Sequence, residues 1–522
     1  MRRSGGMAAA FVVLSLAARI AGAQAQGQRA KVTEALNRLT WGIAPGQVQE
    51  VERIGLQKWI EQQLHPDRIP ENPVLVQQLQ VLAGLRETPA QEMADYPSAQ
   101  AIRQMELGKR RLPRNDRLRD IVETEIARDR LRRDAGRVGP RAPARPSVSG
   151  LKRRSASFTG VAERGPAPVK RPGAVEPLPP GLSPGTPRQQ AAALEAMGAT
   201  ERARVMLALD PRLANRVLPW LPLAGARELL YEQRPQAVPA FDLDAAKVLR
   251  AAETNRQLQD VLTDFWFNHF NVFIRKGNES AFLASYLRQA IRPHVFGKFH
   301  DLLLATAETP AMMFYLDNWR SVDPHLRGRG INENYGRELM ELQTLGVDSG
   351  YTQQDVIQVA DCFTGWTIRQ PGRMAMFYYN DRLHDHAAKV VLGVRIKAGG
   401  GMSDGLKVLA MLAASPATAH HVSYELAQRF VADQPPPALV DRMTQTWLHT
   451  GGDLRKVMQT MLQSPEFWNA AAARAKMKSP LQMVVSSVRA LGADVSNPMV
   501  LAQIIANMGE PLYAKEPPTG YT

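Results

Sequence analysis

The segment from Gly330 to Gly346 carries the residues whose types and spacing could do chemistry. Its apolar spacing predicts a helix that is capped by Asn332 and ended by Gly346. On this helix Glu338 falls at the margin of the apolar arc, where an ionised carboxylate needs a cation, several hydrogen-bond donors or a metal, or else takes up a proton. Asn334, Glu338 and Glu341 then form one polar ridge, because residues at i, i+4 and i+7 share a helix face.

Two interpretations of this ridge remain open. In the structural one, Arg337 pairs with Glu333 and Glu341, one turn away on either side, and Glu338 bonds to a neighbouring helix. In the functional one, Glu338 and Glu341 act as acid and base, or bind a metal ion, as their i, i+3 spacing permits.

Two histidines outside this segment, His269 and His384, could join such a site. His269 lies on a helical stripe of apolar residues, so it is either a satisfied core residue or a ligand. His384 and Asp385 lie in a loop between two predicted strands, where they would present ligands or acid–base groups, or simply be solvated. His421 can pair with Glu425 at i+4, and no chemistry is assigned to it.

The elements that must position these residues are mainly helices. Outside residues 132–188 the apolar spacing is overwhelmingly helical, which predicts a mainly α fold with a large multi-helix globular body. Ser479 and Ser415, each followed by proline, are predicted to open helices. Thr352 with Asp355 three residues later resembles a capping box.

Strand character appears in two short runs, Met374–Tyr379 and Lys389–Ile396. The two runs are expected to pair as a small β-hairpin near residues 374–396, around the loop of residues 380–388. That loop contains His384 and Asp385, so the hairpin would present them.

The first 25 residues are typical of a secretory signal peptide. Arg2 and Arg3 supply positive charge, Met7 to Ala18 is apolar, and small residues lead up to Ala25. The sequence therefore predicts an exported protein, periplasmic or secreted. The apolar run is shorter than the roughly 20 residues that cross a bilayer as a helix, so no transmembrane segment is expected in the mature chain.

Residues 132–188 are dense in Pro, Gly, Ser and Arg, a composition that predicts a disordered insertion. The predicted domains are the signal peptide (1–25), an N-terminal helical region (26–131), this insertion, and a main helical domain (189–522) that packs with the N-terminal region. The only cysteine is Cys362, which excludes a disulfide within the chain.

Most of the net charge of +15 lies outside the predicted helical body. The insertion holds 12 Lys or Arg against three acidic residues, and the signal peptide holds three arginines. The near-neutral remainder argues against specific nucleic-acid binding. The insertion itself is either a solvated linker or a segment that docks on anionic envelope polymers or lipid head groups.

Several motifs together resemble a known family. The motifs are Asn332-Glu333-Asn334-Tyr335, Arg337 to Leu342, Tyr351-Thr352, Asp355-Val356, Thr364-Gly365-Trp366, Ser464 to Trp468 and Pro517 to Tyr521. They are similar to the signature of the large bacterial family catalogued as domain of unknown function 1800, over nearly the whole mature chain apart from the basic insertion. The resemblance implies an exported, helical protein and supplies no established substrate or cofactor.

The polar positions that match the family pattern are His269, Glu333, Arg337, Glu338, Glu341, His384, Asp385 and Lys389. One departure bears on metal binding: Phe267 stands where the family more often has a second histidine. A metal site that requires both histidines is therefore weakened.

The leading hypothesis is an envelope enzyme that performs acid–base or metal-assisted hydrolysis of an extracytoplasmic polymer. The predicted catalytic residues are Glu338, Glu341, Arg337 and Asp385. A divalent metal ion, if bound, would have His269, Glu338 and His384 as ligands.

Two other functions compete with this hypothesis. One is a non-enzymatic envelope binding or assembly factor that docks through residues 132–188. The other is a haem or iron redox protein with His269 as a ligand.

Overall fold

The computed structural model of the chain describes residues 26–137, 178–326, 330–469 and 476–521. The predicted signal peptide and residues 138–177 of the predicted insertion lie outside these ranges. The described chain divides into two compact units. The first takes in Met1–Ser98, Pro222–Arg227 and Gln236–Thr522, and the second takes in Ala99–Leu221 and Glu228–Pro235. The predicted division into regions 26–131 and 189–522 stays a prediction.

Helices dominate the described residues. In chain order they are 26–39 (α1), Gln47–Ile54 (α2), Leu56–Leu64 (α3), Pro73–Val81 (α4), Pro89–Asp95 (α5), Ala99–Glu106 (α6), Asp116–Arg137 (α7), Pro187–Ala196 (α8), Ala199–Ala208 (α9), Pro211–Val217 (α10), Leu223–Gln233 (α11), Val238–Glu253 (α12), Gln257–His269 (α13), Ser280–Ser285 (α14), Phe299–Ala307 (α15), Pro310–Tyr315 (α16), Glu333–Glu341 (α17), Gln353–Cys362 (α18), Met402–Ala414 (α19), Pro416–Phe430 (α20), Pro437–Thr450 (α21), Leu454–Leu462 (α22), Pro480–Leu491 (α23) and Pro498–Asn507 (α24). A π-helical turn, Tyr286–Ile291, directly follows α14. The predicted mainly α fold is confirmed.

The core of the first unit surrounds α12 and α13. Aromatic side chains fill it next to His269: Trp266 packs against Phe299 with 5.9 Å between ring centroids, and Phe299 packs against Trp447 at 4.9 Å. Phe267, the departure from the family pattern, packs edge-on against Tyr513 at 4.8 Å. It therefore fills an aromatic core position.

The second unit contains α6 to α10 and the later part of α11. Its buried cluster comprises Ile102, Met105, Leu118 and Val122, from α6 and α7. Because these residues recur at helical spacing, they form one apolar face on α6 and one on α7, and the two faces pack against each other.

The segment between helices α7 and α8 is shorter than the predicted insertion of residues 132–188. Helix α7 continues to Arg137, six residues into the predicted range 132–188, and α8 begins at Pro187. Arg and Asp sustain a helix better than Pro and Gly do, so the helix continues through the charged residues that open this range. Thr186 caps α8 in a capping box with Gln189.

The strands form two separate antiparallel pairs. Trp366–Arg369 (β1) pairs with Met376–Tyr379 (β2), and Lys389–Val391 (β3) pairs with Val394–Ile396 (β4). A small hairpin within residues 374–396 is confirmed, but the expected pairing of run 374–379 with run 389–396 is wrong. Leu392 and Gly393 both have positive φ angles, 51° and 78°, which produces the tight two-residue turn that folds the second run onto itself.

The predicted helix starts are confirmed. The Ser479 side chain accepts a hydrogen bond from the Gln482 N–H in a capping box, and Ser415 accepts from the Ala417 N–H. Thr352 forms its capping box at α18. No helix in the described residues is long and apolar enough to cross a membrane.

The end of α17 differs from the prediction. Asn332 caps the helix through the Asn334 N–H, as expected, but the helix ends at Glu341, five residues before Gly346. The Leu342 and Gln343 N–H groups both donate to the Glu338 carbonyl, which closes the last turn early. The chain then turns so that the Gln343 carbonyl faces another helix.

Candidate functional site

Arg337 lies between two glutamates on an exposed side of α17. Its guanidinium is 3.1 Å from Glu333 and 3.5 Å from Glu341, the two pairs that the sequence predicted. It also donates to the Gln353 side chain of α18 at 2.9 Å. Partly exposed pairs at this spacing contribute only about 0.2–0.5 kcal/mol each to stability. Their main effect is to fix the positions of both carboxylates.

Glu338, one residue further on, is half-buried and unpaired. No residue in the described part of the chain donates a hydrogen bond to its carboxylate, so the expected bond to a neighbouring helix is not formed. Burial raises the pKa of Glu338, the charge of Glu341 raises it further, and Arg337 opposes both. A carboxyl group with a raised pKa keeps its proton to higher pH, which is the property required of a general acid.

The charge of Glu338 acts on the side chain of Tyr315. Burial chiefly, and then the charge of Glu338, raises the pKa of the Tyr315 phenol. Its hydroxyl donates to the backbone carbonyl of Glu516. The C-terminal segment therefore reaches the neighbourhood of α17, which the sequence did not reveal.

Glu279, just before α14, was also missed by the sequence reasoning. Its side chain is fully buried, and neither carboxylate oxygen has a hydrogen-bond partner among the described residues. Burial raises the pKa of Glu279 well above 4.5, and Asp317 adds to the shift while Lys276 opposes it. The charge of Glu279 in turn raises the pKa of Tyr315. Two carboxyl groups with raised pKa values thus act on one tyrosine.

His269, the last residue of α13, is held at both ring nitrogens. Nδ1 lies 2.7 Å from Oε2 of Glu425, and Nε2 lies 3.1 Å from the Gln343 carbonyl oxygen. Burial alone would raise the pKa of Glu425, but His269, and more weakly His421, lower it overall. Both ring nitrogens of His269 face acceptors, so a metal or haem iron would have to displace one of these contacts.

His421 forms the predicted pair with Glu425, with Nε2 3.5 Å from Oε1. The same nitrogen lies 3.3 Å from the Leu342 carbonyl oxygen. Burial lowers the pKa of His421, and repulsion from His269 adds to the shift. Glu425 therefore joins two histidines, of which the sequence identified only one as its partner.

His384 lies in a second, fully buried group. Its Nδ1 is 2.9 Å from the Thr364 carbonyl oxygen, and its Nε2 is 3.4 Å from Oδ2 of Asp404. The Lys389 ammonium is 3.3 Å from the same oxygen of Asp404 and also donates to the Asp385 carbonyl. These contacts anchor the histidine loop against α19.

Asp385 serves this loop through its own hydrogen bonds. Its carboxylate accepts from the Ala387 N–H at 2.8 Å, and its backbone N–H donates to the Thr364 hydroxyl at 2.9 Å. The residue is buried. The contacts recorded for Asp385 therefore hold the turn, and its predicted catalytic role stays a prediction.

The predicted site residues thus fall into three places: the α17 ridge, the His269–Glu425 pair and the His384–Asp404 group. Within the ranges that the structure describes, no group of three or more His, Cys, Asp or Glu side chains is arranged to hold a metal ion. His269, Glu338 and His384 accordingly do not form such a group, and their role as metal ligands stays a prediction. Of the predicted catalytic residues, Arg337, Glu338 and Glu341 share one helix.

Comparison with protein families identifies one match. A family model described as "Protein of unknown function (DUF1800)" matches residues 34–522. Neither the search of curated proteins nor the search of solved structures finds a match.

Proposed function

The chain belongs to the DUF1800 family of proteins of unknown function, and on that premise we propose that it is an exported enzyme in which Glu338 is the general acid. The reaction proposed is hydrolysis of an extracytoplasmic polymer. Export is inferred from the composition of residues 1–25, with their charged start, apolar run and small residues.

The observation that carries the proposal is the state of Glu338. Its carboxyl group is half-buried, receives no hydrogen bond from the described residues, and has a raised pKa. A structural glutamate normally finds a cation or several donors, because an unpaired buried charge costs free energy. Its neighbour Glu341 has such partners, since the cation Arg337 pairs with it and the Tyr351 side chain forms a hydrogen bond with it.

Because their environments differ, Glu338 and Glu341 have different roles in the proposed reaction. Glu338 transfers its proton to the leaving oxygen of the polymer as the bond to that oxygen breaks. Glu341 accepts a proton from the attacking water, whose oxygen forms the new bond. The net change is addition of one water molecule across the broken bond. Arg337 is a positioning residue, since it fixes Glu341 without being required to touch the substrate.

A metal-assisted form of this reaction is a further part of the proposal. It requires His269 to give up Glu425 or Gln343, or His384 to leave the buried contact with Asp404. The metal-free form requires no such rearrangement, and for that reason we favour it.

A second candidate function is envelope binding through the basic insertion. The charge of residues 132–188 favours it, with 12 Lys or Arg against three acidic residues. Deletion of residues 138–177 would abolish binding to vesicles of anionic phospholipid under this alternative. It would leave hydrolysis unchanged under the enzymatic proposal.

The test of the enzymatic proposal compares Glu338→Gln with Asp348→Asn. Asp348 is an exposed carboxylate a few residues beyond α17 and provides a matched carboxyl-to-amide substitution. The probe is purified bacterial envelope polysaccharide, and the readout is release of new reducing ends. We expect Glu338→Gln to lower the rate about 100-fold or more and Asp348→Asn to leave it within twofold. Equal rates for the wild type and Glu338→Gln would refute the assignment.

A further inference from the structure

A second polar site lies in a cavity of about 600 Å³ within the first unit. Helices α4, α12 and α13 and the chain after α14 line it. Its basic side chains are Arg86, Lys247, Arg250, Arg256, Arg288 and Arg292. Its acidic side chains are Glu71, Asp260 and Asp264. The lining therefore carries three more positive than negative charges.

Two of the three carboxylates are already engaged by cavity residues. Asp260 pairs with Arg292 and accepts a hydrogen bond from the indole nitrogen of Trp41 at 3.0 Å. Asp264 pairs with Lys247 at 2.5 Å. Neither carboxylate forms an ion pair with Arg250 within the described residues.

The third carboxylate is engaged as well, and within the described residues it forms no ion pair with Arg250. Glu71 accepts hydrogen bonds from the Thr254 hydroxyl and the Asn255 N–H. Throughout the described residues, nothing forms a hydrogen bond or an ion pair with the Arg250 guanidinium. Burial lowers the pKa of Arg250 to about 10 and repulsion from Arg292 contributes, while attraction to Asp260 and Glu71, beyond ion-pair distance, opposes the shift. The group is still charged at neutral pH.

An unpaired guanidinium that lines a cavity is costly unless a ligand supplies the missing charge. A second cation, Arg292, lies close enough to repel it, which increases the cost. Guanidinium groups match the oxygens of a phosphate bidentately, and the surplus of positive charge suits a dianion.

The remaining wall of the cavity is apolar. It includes Leu79, Leu85, Leu243, Phe267 and Leu287. Leu287 lies in the π-helical turn Tyr286–Ile291, and such turns occur frequently at functional sites. A ligand that fills this cavity would place an anionic group on the arginines and an apolar body against the leucines.

We propose that this cavity binds an organic phosphate, with the phosphate held by Arg250 and the apolar body packed between α4, α12 and the π-helical turn. This site is separate from the Glu338 site and does not depend on the proposed hydrolysis. The shared chemistry of the ligand is the phosphate group, which either an amphiphile or free phosphate could supply.

Calorimetric titration of the full chain with hexyl phosphate and with inorganic phosphate tests the proposal. The variant is Arg250→Gln, and the matched control is Arg53→Gln, an exposed arginine of α2 outside the cavity. We expect hexyl phosphate to bind the wild type more tightly than inorganic phosphate does. Arg250→Gln should weaken binding at least tenfold, as expected for loss of a charge-assisted hydrogen bond, and Arg53→Gln should change it less than twofold.

Thermal unfolding without ligand separates a binding defect from a folding defect. Because Arg250→Gln removes an unpaired buried charge, its melting temperature should equal or exceed that of the wild type. The proposal is overturned if neither phosphate binds the wild type, or if Arg250→Gln binds as tightly as the wild type. Equal affinities for the two phosphates would assign the site to free phosphate and overturn the role of the apolar wall.

Discussion

The Nδ1 atom of His269 lies 2.7 Å from Oε2 of Glu425, although 156 residues separate them in the chain. The other ring nitrogen contacts the Gln343 carbonyl at 3.1 Å, in the turn that follows α17. One imidazole therefore ties α13 to α20 and to the end of the helix that carries Glu338. The histidine supports the position of the proposed site without contacting Glu338.

Replacement of Glu425 should show how much its contact with His269 contributes to the stability of the fold. Glu425→Ala leaves the buried Nδ1 of His269 without its partner, and we expect the free energy of unfolding to fall by about 1–3 kcal/mol at pH 7. The glutamate side chain is 31% exposed, which limits the loss. Urea unfolding provides the measurement, and His421→Ala, which removes the longer contacts of 3.5 Å to Glu425 and 3.3 Å to the Leu342 carbonyl, should cost less.

The effect of Glu425→Ala should depend on pH. Because the folded-state pKa of Glu425 is lowered, its stabilisation is present above its ordinary value of 4.5 and is lost as pH falls through the folded pKa. The difference between wild type and variant should therefore shrink in unfolding experiments below pH 4.5. A difference that stays constant down to pH 3 would contradict the assigned ion pair.

Asp404 should be among the costliest single positions in the histidine loop. Asp404→Ala removes the carboxylate shared by His384 and Lys389, all of them buried, and leaves a buried cation unpaired. We expect a loss of about 3–5 kcal/mol in the free energy of unfolding. Asp381→Ala, an exposed carboxylate in the same loop, is the control and should cost less than about 0.5 kcal/mol. Equal costs would rule out the buried group as the anchor.

The buried carboxyl group of Glu279 should make the free energy of unfolding decrease as pH rises. Its folded-state pKa is raised well above 4.5, so the folded protein binds more protons than the unfolded chain does above that pH. Stability should therefore decrease as pH rises from about 4.5, and Glu279→Gln should weaken this decrease. At pH 8 we expect the variant to be more stable than the wild type, because the buried carboxyl group no longer has to ionise or hold its proton at a free-energy cost.

Thermal unfolding between pH 5 and 8 measures this effect. Glu195→Gln, at an exposed position of α8, is the control and should leave the pH dependence unchanged. If Glu279→Gln unfolds with the same pH dependence as the wild type, the carboxyl group is not the source of the decrease.

Activity should have its own pH dependence under the enzymatic proposal. A general acid works only while protonated, so the rate should fall as pH rises through the raised pKa of Glu338. The residual rate of Glu338→Gln should lack this fall. A fall that persists unchanged in the variant would assign the proton donor to another group.

Local features of the fold were predictable because they depend on neighbouring residues. Ser479 and Thr352 mark helix starts through hydrogen bonds that span three residues, and both caps are found. Arg337 pairs at helical spacing for the same reason. The strand run Lys389–Ile396 was misassigned because Leu392, a residue without a turn preference, adopts a positive φ angle.

The long-range partners could not be predicted from spacing. Glu425 was expected to serve His421 only, and its shorter contact to His269 depends on how α13 and α20 pack. Asp404 appears in the sequence as an ordinary residue near a helix start, yet it is fully buried beneath the histidine loop. Arg250 carries no motif at all. Tertiary packing decides these roles. The spacing of residues in a single sequence does not show which distant residues will come into contact.

The proposed hydrolysis depends on Glu338 as a proton-donating carboxyl group. The most direct measurement is an NMR titration of the Glu338 side-chain carboxyl in the full chain, assigned by its absence in Glu338→Gln. We expect a titration midpoint above the ordinary glutamate value of 4.5, with burial as the main cause and Glu341 as the second. A midpoint at or below 4.5 would show a carboxylate stabilised by a cation such as Arg337, and would refute the proton-donating role of Glu338.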